Sequence, residues 1–224
     1  PSPTGNLHIG SARTALINFI VSKQNPRSKF FIRIEDTDKL RSKEEYTKNI
    51  FDGLKWLDIK WEENIQIQSN NIKRHQEIAQ KLLDKKLAYK CICTEEKLIE
   101  KRKLIKKNKK ISKKICTECK NNENIQSLND GFVIRIRIPD EGELTIKDKI
   151  QGNVIVNNRE LDDFILLRKN QTPTYMLSVV VDDNDLGVNF IIRGDDHLNN
   201  AFRQYYIYKF MNWPLPDYAH IPLI

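Results

Sequence analysis

The chain opens on a stiff, extended turn that passes at once into helical spacing, and this juxtaposition constrains the fold more than any other feature. Pro1-Ser-Pro-Thr-Gly5 fixes two φ angles and biases the neighbours of each proline toward extended backbone, while Gly5 and Gly10 allow a close approach. Ala12, Ala15, Leu16, Phe19 and Ile20 follow at three- and four-residue steps, which predicts an amphipathic helix ending near Asn25-Pro26. His8 and Ser11 fall in its first turn. Free amide hydrogens and the positive end of the helix dipole favour an anion there, and an imidazole and a hydroxyl add donors, so the opening predicts a nucleotide-phosphate site. A capped helix with an incidental histidine is the alternative these residues leave open.

The next element weighs against that alternative. Lys29-Phe-Phe-Ile-Arg-Ile-Glu-Asp-Thr-Asp38 reads as a strand ending in three carboxylates. In α/β sheets ligands bind at the carboxyl ends of strands, which places Glu35, Asp36 and Asp38 for an ammonium, a ribose or a basic partner. At least one of Asp36 and Asp38 is expected to cap the following turn instead.

The formal charge of +8 is local: Lys101 to Lys114 holds nine basic residues and no acid, and without it 29 basic face 30 acidic residues. One basic stretch on a nearly neutral chain points to a contact surface for nucleic acid, with a solubilising lysine-rich helix or hairpin as the rival. Phosphate contacts there would give position and salt dependence, not sequence choice. The stretch lies between Cys91-Ile-Cys93 and Cys116-Thr-Glu-Cys119, pairs separated by 22 residues. Such spacing suits four thiolates on tetrahedral zinc, with a redox pair as the alternative. Four cysteines fit a reducing compartment, and no run of eighteen apolar residues or signal-peptide pattern occurs, so a soluble, cytoplasmic protein is expected.

Elsewhere the spacing predicts helices over 44–57, 72–87 and 198–211, and strands over 132–138, 152–156, 164–167 and 190–193. In Phe132-Val-Ile-Arg-Ile-Arg-Ile138 the alternation predicts a half-buried strand with Arg135 and Arg137 on a basic outer face. Arg193 ends an apolar strand and is placed to grip a carboxylate, or else to pair with Asp195 or Asp196. Tyr175 is either at a site or core packing. Asp182, Asp183 and Asp185 are expected only to form and cap a turn.

Pro1-Ser-Pro-Thr-Gly5, Leu7-His-Ile-Gly10 and Arg33-Ile-Glu-Asp-Thr-Asp38 resemble blocks of the bacterial glutamyl-tRNA synthetases, which are class I aminoacyl-tRNA synthetases. The likeness continues in order through Thr172-Pro-Thr-Tyr175, Val179-Val-Val-Asp-Asp183, Ile192-Arg-Gly-Asp-Asp-His-Leu-Asn199, Arg203-Gln204 and Ala219-His-Ile-Pro-Leu223, and it is weakest between about 95 and 130. The resemblance implies an α/β fold, a Rossmann-like doubly wound parallel sheet, with an inserted α+β module that binds the tRNA acceptor end and bears a zinc knob. The expected divisions are 1–87 and 175–224 for the two halves of the catalytic domain and 88–174 for the module, with the zinc segment at 91–119. It implies ATP-dependent activation of L-glutamate and transfer to tRNA(Glu), with magnesium accompanying ATP and zinc in the module. By resemblance, His8 and Ser11 are catalytic; Thr4, His8, Gly10, Ser11 and Asp196 bind ATP, Asp196 meeting its ribose or else the tRNA terminus. Ser2, Glu35, Tyr175 and Arg193 hold glutamate, Glu35 taking its ammonium and Arg193 one carboxylate.

The cysteines expected to hold metal are Cys91, Cys93, Cys116 and Cys119; the family precedent gives three cysteines and a different fourth ligand in many members, so Cys119 rests on local chemistry alone. Lys106, Lys107, Lys109, Lys110, Arg135 and Arg137 are the expected contacts to tRNA. A monomer without membrane association is expected. Ser11 stands where the family commonly has histidine or glycine. The chain reads as an amino-terminal catalytic fragment, without the arginine that usually precedes the opening proline and without the lysine loop and anticodon-binding region, so the fragment alone is expected to be inactive. A glutamyl-queuosine tRNA(Asp) synthetase-like paralogue and a non-enzymatic zinc-containing RNA-binding module are the alternatives.

Overall fold

A computed structural model describes residues 1–107, 114 and 116–224. The predicted first helix forms as α1, Ile9–Lys23. It packs on two apolar groups at once. Ala15, Leu16 and Phe19 meet Ile32, Ile34, Ile50 and Leu54, whereas Ile17 and Val21 meet Ile192, Ala219 and Ile221. Ile20, expected on the buried stripe, is exposed because the helix lies between these groups and turns that position to solvent.

Strand β1 is only Arg33–Ile34, pairing in parallel with β2, Gln66–Ile67. The rest of the 29–38 run is extended but irregular, held by bonds such as Glu62 N to Phe30 O and Glu35 N to Pro1 O, both 2.9 Å. Helix α2, Glu44–Trp56, begins with two glutamates that suit the positive end of its dipole and buries Ile50 and Leu54. Helix α3, Ile72–Asp84, buries His75, Ile78, Ala79 and Leu82 at the steps of a single helical face.

The stretch that follows holds β3 (Ala88–Cys91), α4 (Glu95–Lys107), the one-turn helices α5 (Thr117–Lys120) and α6 (Glu123–Gln126), and β4 (Val133–Ile136). Then come β5 (Glu143–Asp148), β6 (Gly152–Asn157) and β7 (Ile165–Leu167). Antiparallel pairing sets the order β3-β4-β7. Helix α7, Tyr175–Asp185, leads to β8 (Phe190–Gly194), α8 (Leu198–Met211) and β9 (Asp217–Ile221). Strands β8 and β9 are parallel and joined by α8, a βαβ unit, while the β5-β6 hairpin adds to the free edge of β9, where Asp148 pairs with Tyr218.

The described ladders therefore form three sheets, of order β1-β2, β3-β4-β7 and β6-β5-β9-β8, in place of one continuous parallel sheet. The cause is local: β1 is too short and irregular to carry a ladder across to β8, and helix α1 packs against both groups instead. The largest apolar core joins α3, β4, β7, α7, α8 and β9 through Ile78, Leu82, Ile136, Leu166, Val181, Ile207 and Tyr218. Each such Ile or Leu contributes about 1.5–3 kcal/mol on burial. No helix among the described residues is long and apolar enough to cross a membrane.

Candidate active site

One open cavity of about 630 Å³ is lined by the start of α1, the end of β1, α7 and the end of β8. It receives His8, Gly10, Ser11, Glu35, Tyr175, Arg193 and Asp196. Seven of the sequence-predicted residues, drawn from four separate stretches, thus line one cavity. Ser2 and Thr4 do not: both are exposed and neither lines the cavity, in a turn where Thr4 N donates to Ser2 O at 2.9 Å.

The backbone explains why His8 sits where it does. His8 is the N-cap of α1, with extended φ and ψ and no side-chain cap, which leaves the first amides of the helix without side-chain acceptors. Leu7 N donates to Asn49 Oδ1 at 2.8 Å, and a Cβ on Gly53 would stand 2.5 Å from Leu7 Cδ2, so α2 clamps the opening segment tightly. A Cβ on Gly10 would lie 3.1 Å from His8 Cε1. Glycine thus makes room there for the imidazole to fold back over the helix, where His8 Nε2 and Ser11 Oγ are 3.0 Å apart.

Opposite this anion-favouring corner lies a set of charges. Arg33, to which the sequence pattern assigned no role of its own, reaches Asp183 Oδ1 at 2.5 Å and Glu35 Oε1 at 3.2 Å. Burial opposes the charge on Arg33, but Asp183 and Glu35 outweigh it and its pKa rises. Burial also raises Asp183, against the pull of Arg33. The ion pair is the stronger constraint, because a guanidinium does not give up its proton. Asp182 and Asp183 form no turn: they sit buried in α7. Asp182 accepts from Gln68 Nε2 at 2.8 Å, Asn71 Nδ2 at 2.7 Å and His75 Nε2 at 2.8 Å, tying α3 and the turn before it to α7. Burial raises its pKa, yet these bonds bring it below the ordinary value. Two carboxylates ending an apolar helical run were the available signal for that network. Burial raises the Tyr175 phenol as well, with Glu35 adding to it.

Arg193 pairs with neither Asp195 nor Asp196 and has no carboxylate partner among the described residues. Instead its Nε donates to His220 Nε2 at 3.0 Å, Nη1 to Gln204 Oε1 at 3.0 Å, and Nη2 to His197 O at 3.3 Å. Of the three strand-end acids, Glu35 alone lines the cavity. Asp36 caps the turn at Ser69, accepting from its N at 2.8 Å and its Oγ at 2.6 Å, and Asp38 accepts from Arg41 Nε at 2.7 Å.

A second centre lies on β3. The sulfurs of Cys91, Cys93, Cys116 and Cys119 are all within 4.8 Å of one another, with closest pairs at 3.1, 3.3 and 3.7 Å. All four are free thiols. Tetrahedral zinc, with Zn–S near 2.3 Å, holds sulfurs about 3.8 Å apart, so this donor set fits a thiophilic ion. Arg135 is not on a basic outer face: it is buried, donates to Asp163 O at 2.9 Å and meets Cys91. Strand β4 is covered on both sides, so alternation did not separate an inside from an outside. Arg137 is partly buried and donates to Lys120 O at 2.6 Å and Asn121 Oδ1 at 3.2 Å. Lys109 and Lys110, and the side chains of Lys106 and Lys107, lie outside the described residues.

A parallel βαβ unit whose strand ends and a helix N-terminus close on one cavity is the layout of a class I aminoacyl-tRNA synthetase catalytic domain, here with mixed sheets. The chain belongs to this family: the model for "tRNA synthetases class I (E and Q), catalytic domain" matches residues 1–224. It is 48% identical over 225 residues to glutamate–tRNA ligase 2 of Zymomonas mobilis, covering 100% of this chain and 46% of that protein. It is 49% identical over 224 residues to glutamate–tRNA ligase 2 of Rhizorhabdus wittichii, covering 100% and 47%. Its fold is similar to that of a solved glutamate tRNA ligase from Elizabethkingia meningosepticum in complex with its amino acid. That match has a TM-score of 0.84 and 26% identity, and covers all of this chain and 48% of the other. The chain spans about half the length of the curated relatives it matches.

Proposed function

We propose that the protein carrying this chain is a glutamate–tRNA ligase, which activates L-glutamate with ATP and passes it to the 3′ end of tRNA(Glu). The observation that carries this reading is the single cavity joining His8, Glu35, Tyr175 and Arg193, in which Arg193 lacks a carboxylate of its own among the described residues. In the first step a carboxylate oxygen of glutamate attacks the α-phosphorus of ATP; the bond to the bridging oxygen breaks and pyrophosphate leaves, giving glutamyl-adenylate. A ribose hydroxyl at the tRNA terminus then attacks the activated carbonyl, and AMP leaves.

Neither step needs a protein nucleophile, so the work of the chain is alignment and charge stabilisation. His8, Ser11 and the amides opened by Gly10 are assigned to the phosphates, and Asp196 to the ATP ribose or the tRNA terminus. Glu35, whose carboxylate also accepts from Arg33, takes the ammonium, and Arg193 takes one of the two carboxylates beside Tyr175. Magnesium accompanies ATP. Ser2 and Thr4 have no part in this reading, since they do not line the cavity. Residues 88–174 form the acceptor-end module inserted between the two halves of the catalytic domain, and the four cysteines hold zinc there.

The test is ATP–pyrophosphate exchange by the full-length protein with tRNA present. Exchange should depend on L-glutamate, and R193A should lower kcat/KM for glutamate by roughly 100-fold or more. Equal exchange with L-glutamine, or none with L-glutamate, would sink the reading.

A further inference from the structure

The arginine that the proposed function gives to the substrate carboxylate is held by groups that the function itself does not use. Arg193 on β8 and His220 on β9 are register partners in the parallel ladder. The Nε of a guanidinium only donates, so His220 Nε2 must accept, and the imidazole proton must sit on Nδ1. That Nδ1 is 2.6 Å from Asp148 Oδ2, which therefore accepts it.

Asp148 is fixed in turn. Its Oδ1 accepts from Ile150 N and Gln151 N, both at 2.9 Å, and His220 N is shared between Oδ1 at 3.2 Å and Oδ2 at 3.1 Å, while Gln151 Nε2 donates to His220 O at 3.1 Å. His220 and Asp148 are both buried, and neither lines the cavity. The imidazole also stacks on Tyr218, at 5.8 Å between centroids and 16° between planes, and Arg193 lies over the same tyrosine ring at 5.7 Å. A buried histidine and a buried carboxylate are costly where an apolar pair would pack as well. What the pair does provide is one allowed tautomer, and with it one direction for the guanidinium.

We infer that Asp148 and His220 are positioning residues for Arg193, through which the β5-β6 hairpin sets the geometry of the amino-acid site. This rests on the proposed role of Arg193. An asparagine at 148 keeps the Oδ1 bonds to Ile150 and Gln151 but turns an amide donor toward Nδ1. The proton is then driven to Nε2, where it opposes Arg193, a tautomer error, while His220 N keeps Oδ1 as its acceptor.

The test uses the full-length protein in ATP–pyrophosphate exchange with tRNA at saturation, comparing wild type, D148N, H220A and H220Q. D148N and H220A should raise the glutamate KM by about 10-fold or more, with the ATP KM within about twofold of wild type. H220Q, whose amide oxygen can accept from Arg193 Nε, should recover most of that loss. His220 is fully buried, so if H220A fails to fold, D148N and H220Q decide. A wild-type glutamate KM in D148N, a parallel rise in both KM values, or a glutamate KM in H220Q far above that of D148N would each overturn the inference. Wild-type protein without glutamate-dependent exchange would overturn the functional reading and this inference with it, whereas normal wild-type exchange with unaffected variants overturns the inference alone.

Discussion

Asp182 shows what one side chain can hold together. Its carboxylate is fully buried and is the acceptor for three donors from two other stretches of chain. D182A would leave all three donors unpaired, so a loss of about 3–5 kcal/mol is expected in urea denaturation. A loss under about 1 kcal/mol would show the network to be incidental. His220 carries a pH signature at the same scale. Burial holds its pKa below the ordinary 6.5; Arg193 and His197 push the same way, and Asp148 on β5 pulls against them. The unfolded chain takes up this proton at higher pH than the folded one does. The contribution to stability is therefore full above about 6.5 and is lost as pH falls toward the depressed value. Asp148, itself held below the ordinary carboxylate value, adds a further loss at lower pH, as its carboxylate protonates. Melting temperatures between pH 7.5 and 5.5 should fall less steeply in H220Q than in wild type, and equal slopes would refute the assignment.

Among the elements, the cysteine-bearing stretch has the least apolar packing of its own. Helices α5 and α6 are single turns, too short to persist alone, and the apolar group around Tyr89 consists largely of the cysteines themselves. If zinc occupies the site, purified protein should carry about one zinc per chain by atomic absorption. Chelation, or C116S, should lower the melting temperature by about 5 °C or more. Full stability in metal-free protein would argue against a structural ion. Helices α2 and α3 were legible because their apolar spacing is local and each buries one face, whereas α8 is buried on several sides and was legible by its length of apolar and aromatic residues. The strand read over 29–38 was legible in place but not in extent, because its two-residue ladder is set by residues more than thirty positions away. Arg135 misled because β4 is buried on both sides. Strand β5 carried a readable signal that went unused: Leu144, Ile146 and Asp148 alternate inward between exposed neighbours, which marks Asp148 as a buried carboxylate in need of a partner.

At the scale of the whole molecule, charge and core are distributed differently. The largest core is continuous from α3 through β4 and β7 to α7, α8 and β9, crossing both expected boundaries of the 88–174 module, and the β5-β6 hairpin is bonded to β9. Motion of that hairpin is therefore coupled mechanically to the strand that carries His220. The net positive charge, by contrast, is confined to Lys101–Lys114, where α4 presents exposed Arg102 and Lys103 and the rest of the chain is nearly neutral. Under the proposed function, such an arrangement would separate the electrostatics of tRNA capture from the chemistry of glutamate activation. Replacing Lys106, Lys107, Lys109 and Lys110 with glutamine should weaken tRNA binding about tenfold or more at low salt. It should also flatten the plot of log affinity against log salt by roughly 0.7–0.9 for each phosphate that is no longer neutralised. Glutamate-dependent exchange at saturating tRNA should stay within about twofold, because the proposed function assigns the charge that develops during adenylation to His8, Ser11 and the amides at Gly10. Loss of exchange with unchanged tRNA affinity would mean that the basic stretch acts on the active site, and would end its assignment as a tRNA-binding surface.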